Sequence, residues 1–367
     1  MTRLRNDPTH KQTLDALGTI LLAPRDPASE QFTKAIEYIF ALPSEQFEQL
    51  LKQAETQRVL RRSLEVLKDC ALRQPNRHAQ LLDTWLVADD QRVRKVLNFA
   101  HGIVTAFERR SYPVAVIKTL DHWPDTGSDV DLLAAGNDNE ICGIFGKEFG
   151  ATRQEQSWGD RLAHKFNFQI PGLAELVEVH IGCLGQTGEQ KKLAADVLSR
   201  SLRRQYDDCV LPVSSVEDRI IIATLQRMYR HYYIRLTDIV NIMTSLANQP
   251  VDFVKLKAIA EASSVWPGVA TLVTIVSQHG AQYGAPIVAL PDFVAAAARF
   301  NSARTYVDQK FVRVPLMPEA ANLYLNQVAE NGRRHDFRAM ARLSLQPMLA
   351  TAAFVAFRLT GNDKGVW

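Results

Sequence analysis

The chain has 367 residues, 46% hydrophobic and 23% charged, with 43 basic against 40 acidic side chains and a net charge of +3. Such a composition is that of a soluble globular protein of two or three domains, or of one domain with a helical extension. The near balance of charge argues against a general nucleic-acid coat and leaves room for a local basic patch.

No stretch of about 18 apolar residues is present to span a bilayer. The N-terminus, MTRLRNDPTHKQ, lacks the apolar run of a signal peptide, so the expected location is cytoplasmic. Cys70, Cys142, Cys183 and Cys209 have no C-x-x-C spacing, which predicts reduced thiols rather than a zinc or redox centre.

In chain order, residues 1–30 are polar apart from a short apolar segment, Leu14–Leu22. Ser44–Lys68 reads as one helix, with Phe47, Leu50, Leu51, Ala54, Val59, Leu60 and Leu64 at three- and four-residue steps. Gln91–Arg110 reads as another, ended by Ser111-Tyr112-Pro113. Short apolar β runs follow at Val114–Ile117 and Val130–Ala134, then a helix over Asn137–Phe149 closed by Gly150. His164–Ile170 and Leu176–Ile181 read as strands separated by a turn at Pro171-Gly172. After Gly185 the pattern predicts a return to helices. Ser214 to Glu217 fits a capping box opening a helix to about Leu246, and further helices are expected at 252–262, 266–278, 291–300, 317–330 and 335–359.

The chemistry concentrates in Ala115–Ala135. Asp129 and Asp131 stand two apart on a strand, so both carboxylates leave one face and repel each other unless a cation lies between them. Glu178 is the only acid in the apolar strand Leu176–Ile181, and His180 shares its face. Glu178 reads as a third ligand, or as a surface residue of an edge strand. His180 reads as a site residue, or as a satisfied structural histidine. Three carboxylates on neighbouring strands suit Mg²⁺, which prefers oxygen ligands. Lys118, Thr119 and Ser128 border the loop before the aspartates, where Lys118 and backbone amides offer phosphate contacts. Arg227, His231, Arg235 and Asp238 fall on one side of the predicted helix. They read as a solvated basic face, or as a ridge over the cleft with Asp238 orienting Arg235 or acting as a base. Lys165 reads as a solvated charge, and Asp121, Asp125 and Asp160 as loop acids. Arg334, Arg338 and Arg342 read as the basic edge of a docked helix, with a partner or membrane-surface contact as the alternative.

Val116-Ile117-Lys118, then Asp129-Val130-Asp131-Leu132-Leu133, then Glu178-Val179-His180 resembles the DNA polymerase beta-like nucleotidyltransferase superfamily. The closer likeness is to its branch of poorly characterised bacterial nucleotidyltransferases. It covers roughly residues 45–250 and is strongest over 114–182. The resemblance implies an α+β fold: an N-terminal helical segment (1–110), a small mixed-sheet nucleotidyltransferase core (111–190) and a C-terminal helical domain (191–367). It implies Mg²⁺ or Mn²⁺ on Asp129, Asp131 and Glu178, and a nucleoside triphosphate such as ATP held with help from Lys118, Thr119, Ser128, His180, Arg227 and Arg235. The implied reaction moves a nucleoside monophosphate to an acceptor (a small molecule, a protein or an RNA end) and releases pyrophosphate. Glu178 is the expected proton acceptor, and no stable DNA binding is expected. The family has a glycine at the loop opening where this chain has Lys118-Thr119, and a Cβ there resists positive φ. That departure keeps open a catalytically inactive nucleotide-binding relative, or a helical interaction or peripheral membrane protein.

Overall fold

A computed structural model describes residues 8–349, 351, 352 and 355, apart from 27, 74, 75, 249, 250 and 309. The fold is α+β. Five helices come first: α1 (Pro8–Leu22), α2 (Glu30–Ala41), α3 (Ser44–Thr56), α4 (Leu60–Arg73) and α5 (Ala79–Glu108). The segment expected to be mostly polar is thus largely helix, because Leu14, Leu17 and Ile20 share one buried face. The single helix expected over 44–68 is two. Val59 N–H donates to the Ala54 carbonyl (2.9 Å) and Arg58 N–H to that of Glu55 (3.0 Å), a Schellman closure with Arg58 left-handed at φ 58°. The apolar residues stay in step across this break, so periodicity alone does not reveal it.

The α/β core contains β1 (Val114–Val116), β2 (Asp129–Ala134), α6 (Asp138–Phe149), β3 (Thr152–Arg153), α7 (Trp158–Ala163), β4 (Lys165–Gln169), β5 (Leu176–Ile181) and α8 (Lys191–Ser199). A hairpin follows, β6 (Leu202–Tyr206) and β7 (Cys209–Val213), where the sequence pattern predicts a return to helices and no strand. It turns on Asp207-Asp208, with Asp207 at φ 45°. The strands form one mixed sheet in the order β3-β4-β5-β2-β1-β7-β6, so the sheet takes its outer hairpin from beyond residue 190. Asp131 lies directly opposite Glu178 in the parallel β2–β5 pair, and Leu133 opposite His180. β5 is internal, flanked by β4 and β2, which removes the edge-strand reading of Glu178. Val130 and Leu132 face the other way, into a core shared with α5 and α6.

Beyond the sheet lie α9 (Val216–Gln226), a π-helical turn (Arg227–His231), β8 (Tyr233–Ile234), α10 (Leu236–Asn248), α11 (Phe253–Ala262), α12 (Trp266–Gln282), α13 (Asp292–Ala297), β9 (Tyr306–Asp308), β10 (Phe311–Arg313), α14 (Ala321–Arg333) and α15 (Phe337–Leu343). Ser215, not Ser214, caps α9, and its hydroxyl accepts from the Asp218 amide (3.2 Å). The N-cap therefore lies one residue later than expected, and Glu217, instead of closing a capping box, pairs with Lys255 (2.9 Å). The helix expected to reach Leu246 breaks at the π turn, and Tyr232 reverses the chain at φ 54°. β8 then joins β10 and β9 in a second small sheet absent from the sequence reading. The helix expected at 335–359 is α15 at its start, and part of that range lies outside the described residues. One apolar core joins α1–α4 to α9–α12 through residues such as Leu17, Leu64, Ile239 and Val273. Among the described residues no helix is long and apolar enough to cross a membrane.

Candidate functional site

The end of β1 sets the geometry. Lys118 has φ 60° and ψ −56°, and Thr119 N–H reaches back to the Ile117 carbonyl (2.5 Å), the pattern of a γ-turn. This uncommon backbone carries the Lys118 side chain onto the acid-bearing face of β2 and β5. Its ammonium bonds Asp131, Glu178 (3.0 Å) and His180 Nε2 (3.1 Å).

The residue that adopts positive φ is thus Lys118 itself, and Thr119 has a different task. Thr119 is buried, donates from its hydroxyl to the Asp129 carbonyl (3.0 Å) and accepts from the Asp131 amide (2.8 Å). It staples β1 to β2, which corrects its expected place as a phosphate contact. Ser128 is exposed, and its hydroxyl donates to Asp129 Oδ2 (3.0 Å).

The expected ligand set changes in composition. Asp131, Glu178 and His180 each offer a ligand atom within 4.8 Å of the others. Asp129 lines the same cavity but is not one of these three. His180 Nδ1 is buried without a hydrogen-bond partner among the described residues, while Nε2 meets Glu178 Oε1 at 2.8 Å. Two carboxylates and one imidazole form a donor set that accepts a divalent cation, with Mn²⁺ favoured over Mg²⁺ by the nitrogen. Lys165 is not solvated as expected. It is buried and pairs with Glu178 Oε2 (2.6 Å) and Asp160 (3.0 Å), with Asp160 in a capping box on α7 rather than in a loop.

Electrostatics divides these groups. Asp131 and Glu178 side chains are only 14% and 17% exposed. Burial, helped by the charge of Glu178, pushes Asp131 up to about 7 against the pull of Lys118. Burial also raises Glu178, but Lys118, Lys165 and His180 outweigh it and hold the carboxyl well below its ordinary range. Burial and Lys118 lower His180 to about 4, so it is neutral at neutral pH. For Lys118, burial is outweighed by Asp131 and Glu178, and its ammonium is strengthened. Glu178, bonded on both oxygens and held low, is a weak base, which argues against its expected role as proton acceptor.

A cavity of about 250 Å³ opens beside the acids. Arg227, His231 and Arg235 line it, although they come from the π turn and the segment before α10 rather than from one helical face. Arg227 forms an ion pair with Asp238 (2.7 Å) in which its Nε–H is not aligned for a hydrogen bond. Asp238 also accepts from the Arg235 backbone amide (2.7 Å). Buried and engaged twice, Asp238 corrects both roles expected for it: it holds Arg227, not the Arg235 guanidinium, and is no free base. The Tyr233 ring has the guanidiniums of Arg227, Arg235 and Arg313 within 5.4–5.6 Å. Burial and the neighbouring arginines hold His231 well below its ordinary pKa.

Sequence reasoning did not single out Arg58 or Arg230, which line this cavity too. Arg230 is three residues from Arg227 but off the face counted on a regular helix, and Arg58 sits in a helix closure with no glycine to mark it. The remaining expected loop acids are structural: Asp121 pairs with Arg219 (3.1 Å) and Asp125 with Arg62 (2.6 Å). Arg342 donates to the carbonyls of Leu162 (2.8 Å) and Thr187, docking α15 on the α/β core. A larger cavity, about 920 Å³, lies between α4, α5 and the β6–β7 turn and shares no lining residue with the acid site. Its Arg61 is already paired with Glu65 (2.7 Å) and Asp90, so the smaller cavity, with its acids and arginines, is the better candidate. The sequence matches no protein-family model and no curated protein.

Proposed function

We propose that the chain is a metal-dependent nucleotidyltransferase that moves a nucleoside monophosphate from a nucleoside triphosphate to an acceptor, with release of pyrophosphate. The observation that carries this reading is the meeting, around one cavity, of Asp129, Asp131 and Glu178 with an arginine-rich wall. The resemblance of Asp129-Val130-Asp131 and Glu178-Val179-His180 to the polymerase beta-like superfamily points the same way.

Asp131, Glu178 and His180 would hold the cation, with Asp129 beside them. Bound there, Mg²⁺ or Mn²⁺ would offset the charge between carboxylates and phosphates and polarise the reacting phosphoryl group. Lys118 must leave the carboxylates for that to happen, and its ammonium already borders the cavity where the phosphates would lie. Arg227 and Arg235 face those phosphates. The acceptor oxygen forms a bond to the α-phosphorus and gives up its proton to solvent as the bridge to the β-phosphate breaks, and the leaving group is pyrophosphate. The acceptor is a small molecule, a protein or an RNA end. Four free thiols support a reducing compartment, the cytoplasm.

One observation favours a second reading, a nucleotide-binding relative without transfer: Lys118 sits among all three candidate ligands. A single experiment separates the two. Each α-labelled nucleoside triphosphate is incubated with the protein, Mn²⁺ or Mg²⁺, and a cell extract as the source of acceptors. Transfer predicts labelled product and pyrophosphate, both lost in Asp131→Asn. Nucleotide binding without either product selects the second reading, and absence of binding overturns both.

A further inference from the structure

We propose that Arg58 is a polyphosphate contact of this site, so that the N-terminal helices complete the anion-binding wall. The inference rests on the nucleotidyl-transfer reading and adds to it a residue from outside the sheet and the C-terminal helices.

The first argument is conformational. Arg58 occupies the position after the α3 C-cap that glycine fills most cheaply, since a Cβ disfavours left-handed backbone. Non-glycine residues in that conformation cluster where the side chain has work at a site. The second argument concerns partners. The buried Arg58 Nε has no hydrogen-bond partner, and its guanidinium makes no ion pair, among the described residues. A half-buried guanidinium left so is costly, unless its partner is a ligand.

The third argument is the company it keeps. Arg58, Arg230 and Arg235 come from three separate segments to one cavity of about 250 Å³. None of the three pairs with a carboxylate among the described residues, whereas Arg227 pairs with Asp238 and Lys118 with Asp131 and Glu178. Burial and the charge of Arg235 press against the Arg58 cation, and Asp129 supports it. Three like charges gathered without an ion pair among them, in a cavity whose Asp131 and Glu178 are already engaged by Lys118, have an anion as their complement. A chain of phosphates, with several oxygens in reach of planar guanidiniums, matches them.

The substitution Arg58→Gly separates a ligand contact from a structural role, because glycine suits the backbone there and removes only the side chain. In calorimetry on the full chain with inorganic tripolyphosphate, Arg58→Gly is expected to bind at least about tenfold more weakly than the parent, with Tm unchanged or higher. Arg58→Asn, which also tolerates positive φ, should behave alike and serves if the glycine variant folds poorly. Arg58→Lys should recover part of the affinity. Parental affinity in the glycine or asparagine variant, or a lysine variant no better than glycine, overturns the inference and leaves the transferase reading intact. A parent protein that binds neither tripolyphosphate nor any nucleoside triphosphate overturns both.

Discussion

Lys118 holds the place where a cation would serve the acids. Its ammonium bonds Asp131, Glu178 and His180, and a γ-turn at its own Cα puts it there. Metal entry therefore competes with a resident positive charge. Lys118→Met keeps the length of the side chain and removes that charge. In the absence of nucleotide, Mn²⁺ should bind the variant about tenfold more tightly than the parent, roughly one pKa unit's worth of free energy. An electron paramagnetic resonance titration reads this directly, and equal affinities would sink the competition. Protons compete as well. Burial pushes Asp131 up to about 7, so on the acid side of that value the carboxyl holds a proton that a metal must displace. Mn²⁺ affinity should thus rise between about pH 6 and about pH 8, and Asp131→Asn should flatten the rise. The sign for folding is opposite. A carboxyl raised above its unfolded value of 3.8 stabilises the metal-free fold below that value, and this contribution is lost as pH climbs through about 7.

At the scale of elements, the site depends on breaks in regular structure. The π turn between α9 and β8 brings Arg227 and His231 round to the cavity, and Asp238 at the start of α10 fixes it by binding Arg227 and the Arg235 amide. Both partners of the Arg227–Asp238 pair are buried. Asp238→Ala leaves a buried guanidinium unpaired and an amide without its acceptor, and should cost about 3–5 kcal/mol in denaturant unfolding. A loss under about 1 kcal/mol would mean that the pair does not hold the turn. These breaks also mark where the sequence stops being informative. Asp129, Asp131 and Glu178 were legible because strand periodicity is two and their neighbours are apolar. The apolar stripe Ile221, Leu225, Met228, Tyr232, Leu236, Ile239, Met243 and Leu246 keeps helical spacing across 227–235, so nothing in it announces a π turn or β8. The β6–β7 hairpin escaped for another reason. Leu-Arg-Arg-Gln-Tyr is mostly polar, and its partner Cys-Val-Leu-Pro-Val contains a proline, which sheets usually confine to edges and bulges. Arg58 left no trace because its left-handed turn has no glycine.

Across the whole molecule, the acid-bearing sheet is clasped between the N-terminal and C-terminal helices, which share one apolar core. Arg62 of α4 ties three regions together. Its Nε donates to Asp125 Oδ2 (2.6 Å) in the loop leading to Asp129, and its other nitrogens reach Asn241 (2.8 Å) and Thr237 (3.0 Å) on α10. Asp125 in turn accepts the Arg61 amide (2.6 Å), and burial pushes its carboxyl above the ordinary range. The Arg62 and Asp125 side chains are 13% and 3% exposed, so each is poorly solvated without the other. Arg62→Met strands a buried carboxylate, and Asp125→Leu strands a buried guanidinium. Each single change should cost about 3 kcal/mol or more, while the double variant, which strands neither, should cost less than their sum by roughly 2–3 kcal/mol. The measurement is a double-mutant cycle by denaturant unfolding. Additivity within about 0.5 kcal/mol would show that the two side chains do not act as a pair. Loss of the tie also frees the loop that precedes Asp129, so Arg62→Met should weaken Mn²⁺ binding although Arg62 does not line the acid cavity.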